Sequence, residues 1–156
     1  MRHALDEIHS SLPQVRHIAF GDLYLEDVRA YRERQLASTS FTPLFPVWGL
    51  NTPELAERFI AEGYDAIAVC VDCQQISASF VGRRFDREFI RDLPSTADPC
   101  GERGEFHTFV SAGPGFGTPI EYEVGEVVLR DDRFAFCDLL AARSAASAGA
   151  IRQRST

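Results

Sequence analysis

The densest concentration of reactive side chains is Pro99-Cys100-Gly101-Glu102-Arg103-Gly104-Glu105-Phe106-His107-Thr108. Glu102, Glu105 and His107 are residue types that act as acid, base or cation ligand, and Gly101 and Gly104 let the backbone turn tightly enough to bring them together. Extended backbone over residues 105–109 would project Glu105 and His107 from one face. The same composition also suits a solvated hairpin entrance, and spacing alone does not separate the two.

Weaker signals lie elsewhere. Gly21-Asp22 ends the apolar-ended run from Val15 to Phe20 on the side where α/β sheets bind ligands, but an ordinary helix cap explains it at least as well. Cys70-Val71-Asp72-Cys73 has the spacing of zinc and redox pairs, yet no second close Cys or His pair accompanies it, so small core residues are expected. Gly113-Pro114-Gly115-Phe116-Gly117 lacks phosphate-loop spacing and reads as a turn.

Composition narrows the chemistry further. The 16 basic residues are all arginine, which excludes Schiff-base lysine chemistry and a lysine-dependent phosphate loop within these residues. The net charge is -7, and residues 141–156 carry Arg143, Arg152 and Arg154 with no acid, so the acidity lies ahead of them. This balance argues against nucleic acid or an anionic membrane as partner. No apolar run reaches the ~18 residues of a spanning helix and no export signal opens the chain, so a soluble, cytoplasmic protein with reduced thiols is expected.

The elements that must position these residues follow from pattern. A short helix over residues 3–11 leads to a strand over 15–20. A charged helix over 24–36 has Leu25, Val28, Tyr31 and Leu36 as its inner stripe. Pro43, Pro46 and Trp48 mark residues 41–50 as an extended connection. Thr52 as cap and Pro53 at the first turn open a helix that Gly63 ends. Residues 66–71 are apolar on both faces, as in a covered parallel strand. A helix near 86–93, strands over 105–112, 120–130 and 134–140, and an Ala/Ser-rich frayed tail complete the chain.

Five landmarks in a fixed order, spread from about Ile18 to Leu140, then become informative: Phe20-Gly21-Asp22-Leu23-Tyr24, Pro43-Leu44-Phe45-Pro46-Val47-Trp48, the run Cys100 to Phe109, Gly113-Pro114-Gly115-Phe116, and Glu126-Val127-Val128-Leu129. Together they resemble the diphthine-ammonia ligase family of the adenine nucleotide alpha hydrolase superfamily, with its bacterial ATP-binding relatives. The resemblance implies an α/β protein: an incomplete Rossmann-like (HUP-type) parallel sheet over residues 1–75, a small α+β recognition domain over 76–140, and a flexible tail over 141–156. It implies ATP as cofactor, and a reaction in which a carboxylate is adenylylated and ammonia then displaces AMP. By the same resemblance Gly21 and Asp22 lie beside the nucleotide. Glu102, Glu105 and His107 form the catalytic set, and Trp48, Cys100, Gly101 and Gly104 the substrate side. Glu102 and Glu105 would hold ammonium and accept its proton, while His107 stands where the ligase motif has a third glutamate.

Relatives also carry a Ser-Gly-Gly-Lys-Asp-Ser phosphate loop that has no counterpart in these residues. The expectation is a truncated form inactive alone, or one completed by another polypeptide, with a protein or a small carboxylate as its substrate. The apolar strand over 15–20 would then have an open edge that favours self-association or a complementing chain. The rival expectation is a non-catalytic binding module, or a gene remnant, that retains the recognition domain.

Overall fold

A computed structural model of the chain describes residues 2–142. The first region comprises helix α1 (Arg2–Ser11), strand β1 (His17–Ala19), helix α2 (Glu26–Leu36) and strand β2 (Thr42–Leu44). β1 and β2 form a two-stranded parallel sheet in the register His17 to Thr42, Ile18 to Pro43 and Ala19 to Leu44. The expected connection over 41–50 therefore contains a strand. Proline is tolerated in it because the pair has open edges, where a missing N–H breaks no ladder. A small core of Leu5, Leu36 and Phe41 lies here, with Val15, Ile18 and Phe20 against it. The expected inner stripe of α2 is only partly realised: Leu36 is buried, but Tyr31 is exposed.

The second region contains α3 (Thr52–Ala61), β3 (Asp65–Asp72), a 3-10 turn (Ala78–Phe80), α4 (Arg87–Asp92), β4 (Phe106–Ala112), β5 (Tyr122–Arg130) and β6 (Phe134–Ala141). Its sheet has the strand order β4-β3-β6-β5, antiparallel throughout. The expectation of a parallel strand over 66–71 is thus corrected. An unbroken apolar run reports that both faces are covered, and covered antiparallel strands satisfy it equally. This sheet runs across residue 75, since β3 pairs with β4 and β6.

The main core packs Ala66, Ala68 and Val71 of β3 against Phe80, Phe85, Phe89 and Phe106. Phe89 is fully buried, with ring centroids 5.0 Å from Phe80, 5.3 Å from Phe85 and 5.1 Å from Phe106. At the end of β3, the fully buried Asp72 is held by Arg133 through Nη2 to Oδ2 at 2.6 Å and Nε to Oδ1 at 3.0 Å. The Arg133 guanidinium holds the Asp72 carboxyl far below the usual carboxylate range, against burial, which acts the other way.

All four cysteines are free; Cys70 and Cys137 are buried. Gly113, in the turn read from Gly113-Pro114-Gly115, packs where a Cβ would overlap the Tyr64 ring. Among the described residues no helix is long and apolar enough to cross a membrane. The tail expected over 141–156 lies, from residue 143 onward, outside the described residues.

Candidate functional site

The segment between α4 and β4 is organised by two buried carboxylates. Asp98 Oδ1 accepts from the Cys100 amide at 2.7 Å, closing an Asx turn across Pro99. Its Oδ2 accepts from the Tyr24 hydroxyl at 3.1 Å and from Thr52 Oγ1 at 2.9 Å. Glu105 spends both oxygens on backbone: Oε1 accepts from the Asp98 amide at 2.7 Å and Oε2 from the Arg103 amide at 2.9 Å. Between them Gly101 adopts a φ of +70°, with its missing Cβ position 2.7 Å from the Phe106 carbonyl oxygen. A side chain there would be strained and would overlap backbone.

This loop is fastened to the turn that follows β1. Glu102 Oε1 accepts from the Leu23 amide at 2.7 Å and the Tyr24 amide at 3.4 Å. Arg103 Nε donates to the Tyr24 hydroxyl at 3.1 Å. Burial raises the Tyr24 phenol above its ordinary value, reinforced by Asp98 and opposed by Arg103. The Cys100 thiol donates to the Thr52 carbonyl at 3.3 Å. Burial first, then the charges of Asp98 and Glu102, push that thiol up to about 12, so it is a neutral wall of the site rather than a nucleophile.

The joint encloses a cleft of about 570 Å³. Gly21 and Leu23 line it from the turn, Leu55 and Phe59 from α3, and Phe106 and Thr108 from β4. Its walls are largely apolar, and the carboxylate network lies behind them.

The sequence candidates distribute unevenly over this geometry. Gly21 and Cys100 line the cleft. Gly101 and Gly104 shape the loop with positive φ. Asp22 does not cap α2, whose first residue is Glu26; it lies 3.5 Å from Arg32 Nε. Thr52 does not cap α3 either. Asn51 does, accepting from the Glu54 amide at 3.0 Å, which frees the Thr52 hydroxyl for Asp98. Trp48 stacks edge-on against Phe45 at 5.9 Å with Arg29 4.7 Å above its ring, while its neighbour Val47 faces the cleft.

Glu105 and His107 do not share a face. Glu105 precedes β4 and is buried, whereas His107 is exposed and lies opposite Cys70 in the register. Among the described residues, no three His, Cys, Asp or Glu side chains are grouped to hold a metal ion. Four side chains of the network escaped the sequence reading as site residues: Asp98, Tyr24, Thr52 and Arg103. The Asp-Pro-Cys order at 98–100 is the signal that points to the first, because a short carboxylate before proline favours an Asx turn.

Chemically, the network leaves one opening. Of the four carboxylate oxygens of Glu102 and Glu105, three accept from backbone amides. Glu102 Oε2 alone has no hydrogen-bond donor among the described residues.

No curated protein matches the chain significantly. Residues 51–140, from the cap of α3 through β6 and including the whole Asp98–Glu105 loop, match the family described as the diphthamide synthase C-terminal domain. That match spans more than half of the sequence, and the chain belongs to this diphthamide synthase C-terminal domain family.

Proposed function

We propose that the chain supplies the substrate-recognition part of an ATP-dependent amide ligase of the diphthine-ammonia type, with the cleft holding the acyl substrate near the turn at Gly21 and Asp22. The observation that carries this reading is the Glu102 clamp. One oxygen ties the family-matching loop to the β1 turn, and the other remains available to accept a hydrogen bond from an ammonium or amine nitrogen.

ATP, when bound, supplies the activation of the carboxylate. The apolar cleft has the size and polarity for a nucleobase or an acyl chain. The chain holds no lysine, so a lysine-bearing phosphate loop would have to come from outside these 156 residues, in keeping with a complementing chain as partner. Within this chain, Glu105 and Asp98 hold the loop, Gly101 and Gly104 give it its course, and Glu102 Oε2 receives the nitrogen's proton. Cys100 contributes to the substrate side as a wall of the cleft, Trp48 contributes beside it through its packing on Phe45 and Arg29, and His107 has an outward position at the rim of β4.

The test combines the chain with a polypeptide carrying a Ser-Gly-Gly-Lys-Asp-Ser loop and follows AMP release with ammonium and a small carboxylate. Glu102→Gln keeps an oxygen for the Leu23 amide and exchanges the free acceptor for a donor, so folding should persist while amide formation drops. Amide formation by Glu102→Gln at the unchanged rate sinks the assignment.

A second reading, a binding module without catalysis, is favoured by the commitment of three of the four carboxylate oxygens to backbone amides. Saturable nucleotide or carboxylate binding with no AMP release under any complementation selects it.

A further inference from the structure

The four-stranded sheet has two outer strands that end differently. β4 is overlaid at its far end by the returning chain, where the Ile120 amide donates to the Ser111 carbonyl at 2.8 Å. β5 is the opposite edge, nine residues long, and among the described residues pairs only with β6. Such an edge presents unpaired N–H and C=O groups and is a template for another strand.

Burial falls abruptly across this hairpin. Ala135 and Cys137 of β6 are 3% and 5% exposed, whereas their cross-strand partners Leu129 and Val127 are 55% and 52% exposed. The apolar inner face thus continues one strand beyond the helices that cover it. A register shift between Val124 and Val127 takes in Gly125 and Glu126, and regular pairing with β6 resumes over Val127 to Arg130, so Glu126-Val127-Val128-Leu129-Arg130 runs from the end of the shift to the end of the strand.

That segment is self-complementary. In an antiparallel pairing about a two-fold axis through Val128, Glu126 of one copy falls opposite Arg130 of the other, and Val127 opposite Leu129. Each contact occurs twice, and Val128 meets its own equivalent. Directly opposed residues share a face. Arg130 meets this condition, since its guanidinium lies 4.9 Å over the ring of Phe136, the cross-strand partner of Val128. A foreign strand draws no special benefit from this charge palindrome, whereas an isologous contact uses it twice.

From this we infer that β5 is a dimerisation edge, which pairs with β5 of a second copy of this chain and joins the two sheets into one of eight strands. The two inner faces then meet edge to edge, and Glu126 pairs with the partner copy's arginine across the joint. This proposal does not depend on the ligase reading.

The test is sedimentation velocity on the full chain over a wide concentration range. The unaltered chain should be dimeric. Glu126→Arg and Arg130→Glu each place like charges directly across the axis twice, and each should weaken the dimer about tenfold or more. An equimolar mixture of the two variants restores both opposite-charge pairs and should recover the dimer. A chain that stays monomeric at every concentration overturns the proposal. So does a dimer indifferent to both reversals, which places the contact elsewhere, and so does a mixture that stays monomeric. Should circular dichroism show that a charge reversal does not fold, Val128→Lys sets two ammonium groups at the axis instead. A monomer is then expected, and a retained dimer is a refutation.

Discussion

The two sheets solve the same problem unequally. In the antiparallel sheet β3 is buried at six of eight positions; in the parallel pair each strand has three residues, of which only the middle one is sheltered. Antiparallel neighbours are cheap in sequence, because a tight turn at Asp131 and Asp132 returns β5 directly to β6. Parallel neighbours each require a crossover, and such sheets are stable when both faces are covered. The family-matching region therefore closes its own core, while the first region is attached to it at the Glu102, Asp98 and Arg103 contacts with Leu23 and Tyr24. The cleft sits at that attachment, where a firm wall meets a lightly held one.

Breaking the firm region should cost most. Phe89→Ala removes a fully buried ring from four-way aromatic packing and is expected to lower unfolding free energy by about 3–5 kcal/mol. Urea denaturation measures it, and a loss under about 1 kcal/mol would show that the aromatic cluster is not what anchors this sheet.

Next comes Arg133→Met, which strands a buried Asp72. The cost expected is about 2–3 kcal/mol, below that of a fully enclosed pair because Arg133 is partly exposed. It also weakens a pH response. With Arg133 present, the folded Asp72 value lies below the ordinary 3.8, so stability is held above that pH and lost as acid titrates the folded group. Without Arg133 the folded value rises from its depressed position, because burial then opposes only the Gln75 and Gln74 hydrogen bonds. Lowering the pH through about 4 should then stabilise the variant relative to the unaltered chain. Melting temperatures across pH 2–6 decide this, and parallel curves would count against the pair as the source.

The comparison is sharpened by Gly101→Ala, which forces a left-handed backbone and a Cβ against the Phe106 carbonyl. About 1–2 kcal/mol from the conformation alone is expected. Thermal scans should show destabilisation together with loss of any ligand binding in the cleft.

The smallest effect belongs to Glu102→Ala. It should cost about 1–2 kcal/mol by leaving the Leu23 amide unpaired, while hydrogen exchange quickens at residues 20–24 and stays unchanged in β3. Equal acceleration in both places would mean that the two regions open as one unit.

Much of the fold was legible beforehand. The Pro53 and Gly63 signals located α3, and the helix expected near 86–93 is α4, where the Asp86 carboxylate accepts from the Phe89 amide at 2.9 Å. The three late strands lie within two residues of their expected bounds. Strand direction in β3 was not legible, because a doubly covered strand shows the same apolar run whichever way its neighbours travel. Nor was the partition of the acidic loop. Glu102 finds its amide 79 residues away at Leu23, and no local pattern encodes that separation. Asp98 was locally marked by its turn, but its bonds to Tyr24 and Thr52 were not.

By itself the sequence determined the types of element, the absence of lysine and hence of a lysine phosphate loop in these residues, and the acidic, glycine-turned motif that carries the family. These are properties of composition and of short-range spacing, where backbone preference and side-chain chemistry act within a few residues. Tertiary structure alone decided which carboxylate oxygens hold backbone, which one stays open, and that His107 stands apart from Glu105. A carboxylate takes its role from the donors within about 3 Å of it; those of Glu105 come from its own loop, while the Leu23 amide that fixes Glu102 is brought from 79 residues away by the packing of one region against the other.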